Sequence, residues 1–465
     1  MSTRGMRAPE SPVCLPNAIS LASRRYIDSS DLPHPPQRLP FLGDVLGLNP
    51  RTPFQSSLPQ TRKLGPISVR KMLGTEMIAV SGRDLVAEVH DESRFGKYVG
   101  NHLVPLRPII GDGDHRRDRP PELAPGARHP DAGVHSGSHA GLRLRHAGGG
   151  PGVVGRVGPR RRQRTEGERQ PTTRRGWPWR PSGVPASVTG SFDRRRPHPF
   201  VSAMNRMLLF ANWSTVPPLA RLVRPLLLRS GAVMARIVDD VIKSRRRGAG
   251  PETNDLLNLM LNATHPTTGR RLDPENIRQQ VITFIVAGHE RTSGAMSFAL
   301  HYLTRNPDVL ARAKAEVDGL WGESDNPEPT YADVAKLRYV RAVLDESLRL
   351  WPTAPGYLRV ARKDTVLGGR FRIKKGQWVL VVLPLVQRDP QVWPDPERFD
   401  PDRFAPGQAK NRAHAYKPFG TGQRACIGRQ FALHEAVLTL GMILHRYDLT
   451  PEADYRPRVS ESITL

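Results

Sequence analysis

The sequence predicts a mainly α protein with a smaller β region, and three observations carry that reading. After Asp273-Pro274 no proline occurs until Pro307, which allows a helix of roughly 32 residues, about 48 Å long. Apolar residues recur at helical spacing over 233–246, 337–350 and 429–444. Strand-like runs are short, such as 76–81 (EMIAVS) and 378–383 (WVLVVL).

Taken in order, residues 1–30 carry Arg4, Arg7, Arg24 and Arg25 against Glu10 and Asp28, and are expected to form a disordered tail. Pro33, Pro35, Pro36 and Pro40 then make an extended entry to the domain expected over 31–465. The strand at 76–81 leads to a helix at 83–90. Patterned sequence resumes near Phe192 and is clear by Phe200, with helices expected at 233–246 and 255–261. Asp273 is a good N-cap and Pro274 a good first residue for the long helix. A turn and strand are expected at 365–369, and a last helix follows Gly428.

The chain has 465 residues, 38% of them hydrophobic, with a formal net charge of +26. Such a charge ordinarily points to nucleic acid or an anionic surface, but only if it is spread over folded sequence. Here residues 114–180 hold 15 arginines, no lysine and six acids, a net +9, together with 12 glycines and 8 prolines. That stretch contains no Ile, Phe, Tyr, Met, Asn or Cys and has no hydrophobic period, so it offers no face to bury. A basic nucleic-acid-binding arm, a neutral insertion and a reading-frame error in a GC-rich gene all compete. The residues present have GC-rich codons and those missing have AT-rich ones, and a functional basic arm has no reason to exclude lysine. Residues of about 114–190 are therefore expected to be disordered or frame-shifted, and no nucleic-acid partner is inferred. Cys14 and Cys426 lie far apart, which implies no disulfide framework. No apolar run approaches the roughly 20 residues of a membrane span, and a cytoplasmic protein is expected.

Three motifs carry chemistry. The strongest is Phe419-Gly420-Thr-Gly422-Gln-Arg424-Ala-Cys426-Ile-Gly428, a lone cysteine in a glycine-punctuated loop before a helix. Backbone N–H groups and the positive end of a helix dipole favour an anionic thiolate there. Gly422 permits the tight turn, Gly428 allows close approach of a large flat ligand, and Arg424 offers a cation. The second is Glu346-Ser-Leu-Arg349, whose charges share one helix face. Arg403, 23 residues before Cys426, can join them in a Glu–Arg–Arg network that braces the cysteine loop. The third is Ala287-Gly288-His-Glu290-Arg291-Thr292 in the long helix, where two small residues open space and Glu290 brings a carboxylate suited to proton relay.

Together these motifs closely resemble the cytochrome P450 family over 31–113 and from Pro197 onward. The match is densest in Leu348-Arg-Leu-Trp-Pro-Thr-Ala-Pro355, Asp364-Thr-Val-Leu-Gly-Gly369 and Lys417-Pro-Phe-Gly-Thr-Gly-Gln-Arg-Ala-Cys-Ile-Gly428. They look most like the haem domain of bacterial fatty-acid hydroxylases fused to a diflavin reductase. The resemblance implies the haem-thiolate fold and heme b (iron protoporphyrin IX), with Cys426 as axial ligand of the iron. Phe419 would pack against the thiolate beside Gly420, Arg424 would hold a propionate, and Glu346, Arg349 and Arg403 would form a structural triad. Ala287 and Gly288 would border the oxygen site, with Ala354 and Pro355 in the substrate pocket. The implied reaction inserts one oxygen atom of O₂ into a C–H bond of a lipophilic substrate, a fatty acid. Electrons would come from NADPH, with FAD and FMN in a separate diflavin reductase, or from a ferredoxin.

The departures are as informative. Arg291 stands where the family has a threonine that helps deliver protons, and Thr292 lies about 100° further round the helix. A bulky cation there would impair oxygen activation, uncouple it into peroxide, or bind a substrate carboxylate. The arginine-rich segment replaces the region expected to supply a propionate-binding Trp and Arg. The sequence ends at Leu465, so a C-terminus truncated before the family's final strands, without a reductase domain, is expected. The alternative reading is an inactive or haem-deficient remnant of a damaged gene, or a peroxide-driven variant.

Overall fold

In the computed structural model the described residues are 26–111, 156–159 and 198–461, with short gaps inside the first and last of these spans. Among the described residues, Ile27 is paired early in the chain. Its N–H donates to the Arg370 carbonyl and its own carbonyl accepts from Arg372 N–H, each at 2.9 Å. These backbone groups pair with a strand more than 300 residues away, while residues 1–25 of the expected tail lie outside the described residues.

Helix α1 (Pro53–Lys63) follows. Its first free N–H groups, those of Phe54 and Gln55, both donate to the Glu461 carboxylate at 2.7 Å, so a residue near the chain's end closes this helix start. Strands β1 (Ile67–Met72) and β2 (Thr75–Val80) form a hairpin, then come helix α2 (Arg83–Val89) and strand β3 (Phe95–Tyr98). The arginine-rich segment, expected to lack structure, lies outside the described residues except for strand β4 (Arg156–Pro159). A backbone ladder needs no apolar periodicity, which is why composition did not reveal it.

The helical region runs through α3 (Pro199–Trp213), α4 (Pro217–Arg246), α5 (Leu256–Asn262), α6 (Pro274–Arg305) and α7 (Pro307–Trp321). Helix α4 begins well before the expected 233, since Pro225 sits inside it; buried Val223 and Leu227 hold the turn that the missing N–H weakens. Asp255 caps α5 by accepting from Asn258 N–H, and Asp273 caps α6 by accepting from Glu275 and Asn276 N–H. Helix α8 (Arg338–Leu350) leads to β5 (Gly356–Ala361), β6 (Thr365–Leu367), β7 (Phe371–Ile373) and β8 (Trp378–Val382). Helix α9 (Arg429–Arg446) and strand β9 (Tyr447–Thr450) follow the cysteine loop.

The main sheet has the order β1-β2-β8-β5-β3, with β2 parallel to β8 and the other neighbours antiparallel. Two small sheets pair β4 with β9 and β6 with β7. Alternate inward residues such as Ile67, Val69, Ile78, Val80, Val379 and Val381 form an apolar layer under the main sheet. Two further clusters are helical, and α6 runs through both. Ile277, Val281, Ile282 and Ile285 belong to one, while Ala295, Met296, Ala299, Leu300 and Leu303 belong to the other. Among the described residues no helix is long and apolar enough to cross a membrane.

Candidate active site

Between its two buried stretches, α6 exposes Ala287, Gly288 and Arg291. These lie three and four residues apart and so share one face. A Cβ built on Gly288 would meet no atom within 4 Å. Thr292 points elsewhere and is buried, at 8% exposure. Arg291 is reached by water yet crowded by protein: burial lowers its pKa, against the raising effect of Cys426 and Glu290. Arg291 is exposed, and its charge is felt by Cys426 across the open face of α6.

Cys426 is exposed and sits in the loop that leads into α9. Its loop is closed by Cys426 N–H donating to the Phe419 carbonyl at 2.8 Å. Gly420 and Gly422 adopt φ of 66° and 74°, in the left-handed region that a side chain disfavours. At Gly422 a Cβ would also lie 2.1 Å from Glu92 Oε1. Gly428 accepts from Ala432 N–H in the first helical turn. Phe419 is half-buried against the helical core, with the Arg429 guanidinium 5.9 Å from its ring centre. Arg424 lies outside the described residues. Among the described residues no group of three His, Cys, Asp or Glu side chains could hold a metal ion. Cys426 is thus a single donor, which suits a metal already carried by a macrocycle.

The structure brings Glu346, Arg349 and Arg403 together beneath this loop. Arg349 and Glu346 are both fully buried and pair through two bonds, Nε to Oε2 at 2.6 Å and Nη2 to Oε1 at 2.8 Å. Arg349 Nη1 donates to the carbonyls of Gln387 and Pro396, and Nη2 donates also to Arg398 O. All five guanidinium donors are therefore used. Glu346 Oε1 accepts in addition from Asp400 N–H at 2.9 Å, and Arg403 Nε approaches it to 3.5 Å. Arg403 Nη2 donates to Asp395 O.

Gln387, which sequence reasoning missed, connects this network to the loop. It is fully buried, its Nε2 donates to the carbonyls of Leu348 and Arg349, and its Oε1 accepts from Lys417 N–H. Its signal was a lone amide closing an apolar run, Leu383-Pro-Leu-Val-Gln387. Arg359 was missed as well. It is buried on β5 beside Glu92, donates to Phe95 O, and keeps Nε without a hydrogen-bond partner. A buried guanidinium with an unused donor near the cysteine loop is suited to a carboxylate of a bound group.

His90 and Tyr357 brace the same region. His90 Nδ1 lies 2.6 Å from Val86 O; a carbonyl only accepts, so Nδ1 carries the proton and Nε2 accepts from Tyr357 Oη at 2.6 Å. Burial pushes the His90 pKa down to about 4, against the Val86 hydrogen bond and with help from Lys417, Arg359 and His414. An unfolded imidazole titrates near 6.5. The unfolded chain therefore takes up a proton as pH falls from about 6.5 to 4 that the folded chain refuses. The contribution of His90 is full above pH 6.5 and is lost as pH falls through 4. Tyr357→Phe should cost about 1–3 kcal/mol in urea denaturation at pH 7.5, because it leaves Nε2 buried and unpaired. An unchanged midpoint would show that the hydrogen bond carries no stability.

Ala354 and Pro355 are half-buried at the entry to β5, where Pro355 O accepts from Leu383 N–H. Trp351 stacks on Phe298 of α6 with ring centres 4.7 Å apart and donates to Tyr302 Oη, which ties α8 to α6.

A family model described as Cytochrome P450 matches residues 190–464, beginning where the arginine-rich segment ends. A bifunctional cytochrome P450/NADPH–P450 reductase of Bacillus cereus is 38% identical over 94% of this chain and 41% of its own length. Bacillus subtilis has a similar bifunctional protein, 38% identical over 87% of this chain and 38% of that one. A self-sufficient cytochrome P450 monooxygenase of Aspergillus niger is 33% identical over 92% and 40%. The chain thus spans about two fifths of the length of these relatives. A solved cytochrome P450DA heme domain shares the fold with a TM-score of 0.77 at 33% identity, covering 95% of this chain and 96% of that one.

Proposed function

This chain belongs to the cytochrome P450 family, and from that premise we propose that it is a haem-thiolate monooxygenase of a lipophilic substrate, a fatty acid. The observation that carries the reading is the accessible Cys426 sulfur at the start of α9, within electrostatic reach of the open Ala287–Gly288–Arg291 face of α6. The residues fit a haem: one sulfur donor, an α6 face without side-chain bulk at Gly288, and Arg359 with an unused buried donor for a propionate. Bound there, the haem iron would supply the redox chemistry of dioxygen, with one oxygen atom going to the substrate and the other to water.

In balance, R–H, O₂, NADPH and H⁺ give R–OH, H₂O and NADP⁺, the two electrons arriving through a diflavin reductase of the kind fused in the Bacillus relatives. A ferredoxin is the other donor considered, and the cytoplasm the expected setting. The residues of the chain position and exclude. Cys426 would ligate the iron through its sulfur, and Phe419 would pack against it. Glu346, Arg349, Arg403 and Gln387 hold the loop that carries it. Ala287 and Gly288 leave room for substrate, which Ala354 and Pro355 would contact. Glu290, next to Arg291 on α6, is the acid that would relay protons, and Thr292 is buried. The fatty-acid assignment rests on the resemblance to bacterial fatty-acid hydroxylases, and the retained buried network does not favour a remnant.

The test is the spectrum of the purified protein. Reduced under carbon monoxide, it should show the thiolate-type Soret shift, and Cys426→Ala should lose that shift completely. A wild-type protein that takes up no haem, or whose Soret band is unaffected by Cys426→Ala, would overturn the proposal.

A further inference from the structure

We propose that Asp345 of α8 is a positioning residue for the cysteine loop. Its buried carboxylate holds Tyr416 at the loop's entry and faces Arg429 at its exit, and so sets how strongly the Cys426 sulfur donates to the iron. The inference deepens the haem-thiolate reading and rests on it.

Asp345 and Glu346 are neighbours in sequence, yet they serve different segments. Glu346 takes the Arg349 guanidinium and the backbone at Asp400. Asp345, only 9% exposed, turns instead to residues on either side of Cys426. Tyr416 Oη donates to Asp345 Oδ1 at 2.9 Å and reaches the Asp345 carbonyl at 3.1 Å, so one hydroxyl grips both the side chain and the helix backbone. Arg341 Nε donates to Oδ2 at 2.8 Å. The charge of exposed Arg429 favours the same carboxylate. Tyr416 lies ten residues before Cys426 and Arg429 three after it, which leaves the loop held between them.

Burial pushes the Asp345 carboxyl up, and Arg341, Tyr416 and Arg429 oppose that. A buried carboxylate is costly, and helix stability does not account for it. Arg341 precedes Asp345 by four residues, which is the weaker order for such a pair and puts the cation towards the positive end of α8. A role in geometry explains the arrangement better. The residue after Tyr416 is pinned as well, since Lys417 N–H donates to Gln387 Oε1. With both residues fixed, the Phe419 carbonyl that accepts from Cys426 N–H has a set position. The second effect is electrostatic. Asp345 offsets the charge of Arg429, a cation three residues from the sulfur that would otherwise draw on its electron density.

The experiment is a spectroelectrochemical titration of the haem-loaded protein, with the thiolate-to-thiol ratio read from the Soret band under carbon monoxide. It compares wild type, Asp345→Asn, Asp345→Glu and Tyr416→Phe. Asp345→Asn removes a negative charge behind the sulfur, so the reduction potential should move to more positive values. At the wild-type midpoint the reduced-to-oxidised ratio should rise at least about threefold. Asp345→Glu keeps the charge and should reverse most of that change. Tyr416→Phe keeps the charge but loses the grip, and its thiolate-to-thiol ratio should fall about fivefold. A wild-type potential in Asp345→Asn overturns the proposal, as does a wild-type thiolate ratio in Tyr416→Phe. Should Asp345→Asn take up no haem, Tyr416→Phe decides alone. Haem loss from that variant too, with a fallen urea midpoint, assigns the pair to the fold only and overturns the proposal. A wild-type protein without the thiolate-type shift removes the monooxygenase reading and this inference with it, whereas a wild-type shift with unchanged variants removes the inference alone.

Discussion

Arg349→Met should destabilise the fold by about 3–5 kcal/mol, the cost of leaving a buried carboxylate without its partner. Glu346 has no exposure and would lose both of its short bonds, while the carbonyls of Gln387, Pro396 and Arg398 would lose theirs. Arg403 does not replace them, because it reaches Glu346 only at 3.5 Å. Arg349→Lys keeps the charge but brings three donors to a site built for five, so it should fall between Met and wild type. Since Gln387 ties this network to the start of the cysteine loop, the loss should also appear as weaker haem retention. Urea denaturation and haem content measure the two effects separately. If Arg349→Met shifts the midpoint by less than about 1 kcal/mol, the network is not what holds this part of the chain.

Glu435→Gln should instead make the protein more stable at neutral and alkaline pH. Glu435 is 6% exposed on α9, its Oε1 has no hydrogen-bond partner, and burial alone pushes its pKa from 4.5 up to about 8. Between those values the folded chain holds a proton that the unfolded chain has released. The favourable contribution is therefore full below about pH 4.5 and is lost as pH rises through 8, at roughly 1.4 kcal/mol per unit. Glutamine keeps the shape and never ionises. The variant should exceed wild type by about 3–5 kcal/mol at pH 8, and the gap should shrink to within about 1 kcal/mol near pH 4.5. Thermal unfolding followed from pH 4.5 to 8.5 checks this, and parallel curves for the two proteins would contradict it. His90 works in the opposite sense on the acid side, so in the double variant Glu435→Gln/Tyr357→Phe the two effects should separate by pH.

Much of the architecture was legible in the residues. Asp273-Pro274 at one end and Pro307 beyond the other bounded α6, since capping and proline act locally. The cysteine loop was equally plain, because glycines at positive φ followed by a helix start leave a mark within ten residues. The Glu346–Arg349 spacing put both charges on one face, and Arg403 was within reach of them. Harder to read were the features that depend on distant partners: Ile27 on β7, Glu461 on the start of α1, and β4 against β9. Each is a backbone or capping contact between segments far apart in sequence, and backbone groups carry no side-chain signature.

Arg291 shows the division most clearly. By itself the sequence determined that a cation follows Glu290 and that Thr292 lies on another face, because helix geometry sets both. It could not say whether that cation was solvated at the surface, paired with a carboxylate, or turned inward. Only the tertiary structure decided this, by packing both ends of α6 into separate apolar clusters and leaving Ala287, Gly288 and Arg291 exposed between them. The same holds for Gln387, Arg359 and Glu435. Whether a polar group is satisfied or stranded depends on which distant segments close around it, and the spacing along one chain does not encode that.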